Sequence, residues 1–410
     1  MTWQLRILSR VGWGFADQAL SSLTNFLLSF LVARSVNAAD LGAFSLAFNM
    51  YLIFLNVARQ LAMQPLFIRF SATDKSSWRS ATPGATGLGL WIGLAGGFVC
   101  GGLGLVAPGV LGTDLLALAV VMPGLMVQDC WRMAFFAAEN GRAAFANDLA
   151  WTLFLLPAAA LVLTRESSSA PLLIVAWGVT ATLAALVGVA QAKTRPRLRE
   201  GIRWLRQHRR LSVPLTIESA VGVVAQQVAS LGVAITAGLA VVGALRAAQL
   251  VIGPLLVLSQ GLTLIAIPEG ARLLRRSRTA LWRGCLLYAG GVFVVYALWG
   301  AAASLTPTAV GTALLRSNWL VAQPVVFPLA LAIGSGAAGG ALEMGLRVLA
   351  QARRVLFGGT TGSVLSATGQ VAGAATSGAV GAALGAAIGS LVGDAVILQQ
   401  LNTAIRSANG

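Results

Sequence analysis

One histidine and three cysteines in 410 residues leave little room for metal or thiol chemistry. Cys100, Cys130 and Cys285 lie far apart, each inside an apolar run, and no pair has metal-site or redox spacing. They read as buried structural thiols. His208 sits in a basic stretch without a ligand partner, which argues against metal catalysis and a histidine-dependent triad, and no cofactor is expected. Charge is scarce as well: 10% of residues are charged, 57% are hydrophobic, and mean hydropathy is +0.79. A soluble domain carries about 25% charged residues. A chain this poor in polar residues cannot cover the surface of a water-soluble fold. Lipid is the solvent for most of it, and the expected class is an all-α integral membrane protein.

A membrane-spanning helix needs about 20 apolar residues. About twelve stretches qualify: 12–33, 41–62, 84–106, 115–137, 144–164 and 171–192, then 214–239, 241–267, 284–304, 321–344, 355–376 and 379–401. The last two form one Gly/Ala-rich run, divided at Ser377–Gly378, and such small residues let membrane helices pack closely. Residues 1–10 are short and basic with no small-residue cleavage site after them, and read as the start of an uncleaved anchor.

With both termini cytoplasmic, all but Arg34, Arg165, Arg246 and Arg316 of the 29 basic residues gather on the inner side. That satisfies the positive-inside rule, and the expected location is a bacterial cytoplasmic membrane. The net charge of +16 then speaks of topology and of anionic inner-leaflet lipid, with no need of nucleic acid as a partner.

The chain also repeats itself. A shift of about 201 residues aligns Asp17 with Glu218, Asn25 with Gln226 and Gly42–Ala43 with Gly243–Ala244; slightly larger shifts align Arg69 with Arg272 and Trp78–Arg79 with Trp282–Arg283. Two six-helix lobes in parallel repeat follow: 1–192 and 213–404, joined by a basic cytoplasmic linker, 193–212, and followed by a tail, 405–410. In the linker Leu198, Ile202 and Leu205 share one helical face and arginines the other, the pattern of a helix lying on the inner leaflet.

Polar side chains inside spans are costly and usually face the protein interior or a wet cavity. The first helix carries Asp17, Gln18, Ser21 and Asn25 on one side, and the second Asn49, Asn56 and Gln60. In the other half Glu218 and Gln226 lie on one helix, and Arg246, Gln249 and Gln260 on the next. These matched stripes are expected to line a substrate cleft, with Asp17 and Glu218 as a proton-exchanging pair; the alternative is that both acids pair with nearby arginines. Asp129 with Arg132, and Glu343 with Arg347, have the spacing of local neutralising pairs, whereas Asp148 and Asp394 have no evident partner. Trp78, Trp282 and Trp319 fall at helix ends and read as membrane-interface anchors.

The opening segment Ala16-Asp-Gln-Ala-Leu-Ser-Ser-Leu-Thr-Asn-Phe-Leu-Leu-Ser-Phe-Leu-Val-Ala-Arg34, followed by Ala39-Asp-Leu-Gly-Ala-Phe-Ser-Leu-Ala47, resembles the first two helices of polysaccharide-precursor (O-antigen-type) flippases. Gly243-Ala-Leu-Arg-Ala-Ala-Gln249 through Pro268 resembles that family's eighth helix, and Asn318-Trp319 with Pro328-Leu-Ala-Leu331 the start of its tenth. The wider superfamily of multidrug, oligosaccharidyl-lipid and polysaccharide exporters includes lipid II flippases and drug and toxin exporters. The resemblance implies two lobes, V-shaped in the membrane, that open alternately to either side. It implies a transporter, not an enzyme, flipping a polyprenyl-diphosphate-linked oligosaccharide to the outer leaflet. The chain is expected to work as a monomer, with polysaccharide-assembly proteins as expected partners.

This chain has few cationic residues well inside the membrane, where the resemblance implies groups that hold the diphosphate. An ion-coupled exporter of small amphipathic cations is the alternative, with Asp17 and Glu218 as natural partners. A membrane-embedded glycosyltransferase would need a catalytic loop with acid–base residues. The longest outer loop, 305–320, has no Asp, Glu or His. The loop 71–83 also lacks the Gly-rich Asp-Arg signature of the major facilitators.

Overall fold

The computed structural model describes residues 3–71, 74–164 and 169–406, without the side chains of 3–11, 218, 220–222, 257–258, 260–265 and 267–268. The described chain is helical throughout. In order come α1 (Trp3–Ser35), α2 (Ala38–Ala58), a π-helical turn (Arg59–Met63), α3 (Gln64–Phe70), α4 (Lys75–Val106), α5 (Gly109–Ala137), α6 (Gly141–Leu163) and α7 (Ala170–Ala192). Then follow α8 (Leu198–Ala237), α9 (Leu239–Arg276), α10 (Arg278–Ser304), α11 (Thr308–Leu315), α12 (Asn318–Val348) and α13 (Ala352–Arg406).

Local chemistry sets the ends. Asp74 caps α4, accepting from the Ser76 hydroxyl, from the Ser77 hydroxyl at 2.6 Å and from the Ser76 amide at 3.1 Å, and these bonds, the Ser76 hydroxyl first, hold its carboxyl down to about 2. Asn140 caps α6 and Ser277 caps α10 in the same way. Gly238, at φ 89°, supplies the left-handed turn between α8 and α9 that a side chain would resist.

Among the described residues, ten helices are long and apolar enough to cross a membrane. Two details bring the number of spans to about twelve. Ser377 and Gly378 leave helical geometry inside α13, where the sequence divides the run, and Val223–Ala237 is a further apolar segment within α8. The linker and the seventh span are therefore one continuous helix, with Pro214 inside it.

The chain forms two compact units. The first comprises Met1–Val36 and Ala43–Val223, the second Asn37–Gly42 and Val224–Gly410. In the first, Trp151 donates to the Trp177 carbonyl at 3.1 Å, and Tyr51 packs edge-on to Trp177 at 4.9 Å. In the second, Leu281, Cys285, Leu342, Leu346, Ile397 and Leu401 form the centre of a core shared by α10, α12 and α13. All three cysteines are buried and free.

The two arms of α13 meet almost backbone to backbone. A Cβ on Gly385 would run into the Gly369 carbonyl, and one on Gly373 into the Gly381 carbonyl. Lipid offers helices no hydrophobic drive to associate, so close backbone approach supplies the attraction.

The linker part of α8 packs on α4 through a face other than its aliphatic one. Gly201, Trp204, His208 and Ser212 are buried, whereas Leu198 and Ile202 stay exposed. Gly201 sits on Gly87 and Leu88 of α4, Trp204 lies over Gly84, and its indole donates to the Ala62 carbonyl at 3.1 Å. Two glycines on α4 thus define the docking face, not the aliphatic residues that the periodicity marks. Trp78 and Trp319 also depart from expectation. Both are buried: Trp78 donates to the Ala134 carbonyl at 2.9 Å, and Trp319 lies against Gly311. Each is a packing residue; Trp282 is half-buried and donates to Asn402 Oδ1 at 2.6 Å.

Two predictions follow from these contacts. Gly385→Leu should lower the thermal midpoint of the purified protein, an overpacking cost of about 1–3 kcal/mol. Gly336→Ala should leave the midpoint unchanged or raise it, because a Cβ there meets nothing within 4 Å and helix propensity favours alanine by about 0.5–1 kcal/mol. The reverse ranking would show that α13 is not held by backbone approach.

His208 carries the second prediction. Its ring lies 4.0 Å from the Trp204 ring, with Nδ1 3.0 Å from the Trp204 carbonyl oxygen. Burial pushes its pKa below the ordinary 6.5; the bond to Trp204 opposes this and the nearby Arg69 adds to it. The neutral ring is therefore favoured in the folded state. Its contribution is full above pH 6.5 and is lost as pH falls through the lowered value. The midpoint of wild type relative to His208→Gln should fall between pH 7.5 and pH 5; parallel pH curves would contradict this.

Candidate functional site

The most polar place within the described spans lies inside the first unit. Beyond Thr113 and Asp114 in its first turns, α5 is apolar except for one patch, Gln128, Asp129 and Arg132, and the i, i+3 spacing puts Asp129 and Arg132 on one side. Arg132 is the centre. Its Nε lies 2.7 Å from Asp17 Oδ2 on α1 and 3.3 Å from Asp148 Oδ2 on α6. Nη2 donates to Gln18 Oε1 at 3.0 Å, and Nη1 lies 3.7 Å from Asp129 Oδ1. The Arg132 side chain is 6% exposed and that of Asp17 is fully buried.

Arg59 completes the charge pattern. It opens the π-helical turn that continues α2, an insertion that recurs at functional positions in helices. Its Nε and Nη2 grip Asp129 in a two-pronged pair at 2.9 and 2.6 Å. Amides close the other side. Gln128 donates to Asp148 Oδ1 at 2.7 Å and to Asn147 Oδ1 at 3.3 Å, and Asn147 donates to the Ala184 carbonyl at 2.9 Å and to Gln191 Oε1 at 3.2 Å. Five segments, α1, the π-helical turn, α5, α6 and α7, thus converge on one network. Three carboxylates face two guanidiniums, leaving one negative charge in surplus when all five are ionised.

Asp17 therefore takes the alternative that the sequence left open, pairing with an arginine. Gln18 joins it on the same arginine and also donates to Ser22 at 3.2 Å. Ser21 is buried; Asn25, Asn49 and Gln60 are half-buried. Asn56 accepts from the Ser219 hydroxyl at 3.0 Å. In the second unit Gln226 is exposed, and half-buried Arg246 donates to half-buried Gln249 over a long 3.5 Å. The side chains of Glu218 and Gln260 lie outside the described residues.

The sequence expectation missed Arg59, Gln128, Asn147, Asp148 and Gln191 as members of one site. Asp148 has partners after all, Arg132 and Gln128, and Asp394 accepts from the Ser335 hydroxyl on α12. The available signal was polarity itself: Gln128–Asp129 and Asn147–Asp148 are adjacent polar pairs inside apolar runs, each costly to insert alone. Glu343 and Arg347 do meet as their spacing implies, at 3.4 Å. Among the described residues no group of His, Cys, Asp and Glu could hold a metal ion.

No protein-family profile and no curated protein matches the chain in sequence. Its fold does have solved counterparts. It is similar to an inward-facing multidrug-resistance MATE family transporter of the MOP superfamily, with TM-score 0.72 and 15% identity over 96% of this chain and 95% of the other. It is similar to the lipid II flippase MurJ in an inward closed conformation, with TM-score 0.70 and 12% identity over 97% and 91%. A MOP-superfamily transporter from Pyrococcus furiosus, described as having a binding pocket of reversed polarity, gives 0.59 and 14% over 99% and 96%. At such identities the likeness concerns the fold: this chain has the all-helical, multi-pass membrane architecture that MOP-superfamily transporters share.

Proposed function

We propose that the protein is a transporter of the flippase kind, moving a polyprenyl-diphosphate-linked oligosaccharide from the inner to the outer leaflet of a bacterial cytoplasmic membrane by alternating access. The observation that carries this over a cation exporter is the grip of Arg132 on Asp17 and Asp148, with Arg59 on Asp129. Carboxylates already held by guanidiniums are poor partners for a cationic substrate, because taking one over would strand a buried arginine. The other polar groups of the spans are mostly amides and hydroxyls, which suit sugar hydroxyls. Arg246 and Gln249 add a cationic and amide pair able to meet phosphate oxygens. The similarity to a lipid II flippase fits this cargo class, and the similarity to MATE transporters keeps the exporter as the competitor to be tested.

Reconstituted vesicles distinguish the two. A fluorescent polyprenyl-diphosphate glycan should move between leaflets in the presence of wild-type protein. Arg246→Gln should slow this by roughly 10- to 100-fold, the loss of a charge-assisted bond of about 1.5–3 kcal/mol, with normal protein levels. Extrusion of a cationic dye without movement of the glycolipid would overturn the proposal in favour of the exporter.

A further inference from the structure

Inside the second unit, α9, α10 and α12 line a groove of about 340 Å³, apart from the charge network of the first unit. Along α12 its wall is Ile333, Ala337, Gly340, Glu343, Met344 and Arg347, one helical face. From Ile333 to Arg347 is 14 residues, or about 21 Å at 1.5 Å per residue. A groove of about 340 Å³ that follows one helix face over this length has room for an extended alkyl chain. Most of the wall is aliphatic. One end is closed by Ser259 and Tyr296, whose hydroxyls bond each other at 2.9 Å.

The other end carries opposite charges. The Glu343 side chain is 17% exposed and that of Arg347 58%, so this end opens outward. Their mutual contact is long, 3.4 Å, and leaves most of the acceptor capacity of Glu343 and most of the donors of Arg347 unused between them. Gly270 of α9 lies against Met344 and Val348, which brings the arginine-rich end of α9 to the same level. A largely apolar groove with a carboxylate and a guanidinium side by side at its mouth is complementary to a molecule with a long alkyl chain and a head bearing both a cation and an anion.

We propose that this cavity is a binding site for one acyl chain of an ethanolamine phospholipid, with the phosphate at Arg347 and the ammonium at Glu343. The arginines at this end of α9 add to the attraction of Arg347 for a phosphate, and Glu343 is the group that distinguishes a head carrying an ammonium from a purely anionic one. An ethanolamine head satisfies both. The site belongs to the second unit alone and stands whichever cargo the transporter carries.

The test is binding of labelled lysophosphatidylethanolamine to the purified full-length protein in detergent, with lysophosphatidylglycerol as the comparison. One ethanolamine lipid per chain is expected, held at least about tenfold more tightly than the glycerol lipid, the discrimination of one charge-assisted contact. Glu343→Gln should remove that preference. Gly340→Leu, which projects into the cavity from a position where a Cβ meets nothing within 4 Å, should abolish binding of both lipids at an unchanged thermal midpoint. Ala337→Phe blocks the same channel and serves if the first variant is unstable. Equal binding of the two lipids by wild type, or binding undiminished in both blocked variants, would overturn the proposal.

Discussion

A guanidinium buried among three carboxylates is the constraint on which the first unit depends. An ion moved from water to a protein interior loses several kcal/mol of solvation, which only close partners return. Among the described residues, Arg132 is the group that touches Asp17, Asp129 and Asp148 together. With its partners on α1 and α6, and Arg59 tied to Asp129, this part of the bundle is held in an arrangement in which each carboxylate lies against a guanidinium. Apolar packing between lipid-facing helices discriminates far less, since lipid tails are as apolar as leucine.

The second unit is organised differently. Its helices approach through glycine and alanine, and the α13 arms touch where neither residue has a side chain. Backbone approach gives many weak contacts that slide poorly but carry no charge. The ion pairs it does contain, such as Glu343 with Arg347, lie near a helix end and remain partly exposed. Close approach at glycines recurs in the first unit too, at Gly87, Gly124 and Gly201, and what sets that unit apart is the buried charge network beside it.

The sequence made the spans legible because apolar runs of helical length admit no other solution in lipid. Even the break at Ser377–Gly378 was visible, since these residues tolerate the non-helical φ and ψ required there. The charge network was only half visible. Asp17, Asp129, Arg132 and Asp148 stood out as polar residues in apolar helices, but Arg132 and Asp17 are 115 residues apart, and local spacing offers Arg132 only Asp129. Tryptophans at helix ends misled for a related reason. Periodicity marks Trp78 and Trp319 as apolar at an end and cannot tell a lipid interface from a helix interface. In the linker, the docking signal was glycine on α4, a residue that hydrophobic periodicity ignores.

The central claim is that Arg132 holds the first unit by neutralising Asp17, and a double-mutant cycle on unfolding of the purified protein measures that directly. Arg132→Met should cost about 3–5 kcal/mol, since it strands buried carboxylates. Adding Asp17→Asn to it should recover part of the loss, an interaction energy of about 0.5–3 kcal/mol. Losses that simply add would contradict the claim.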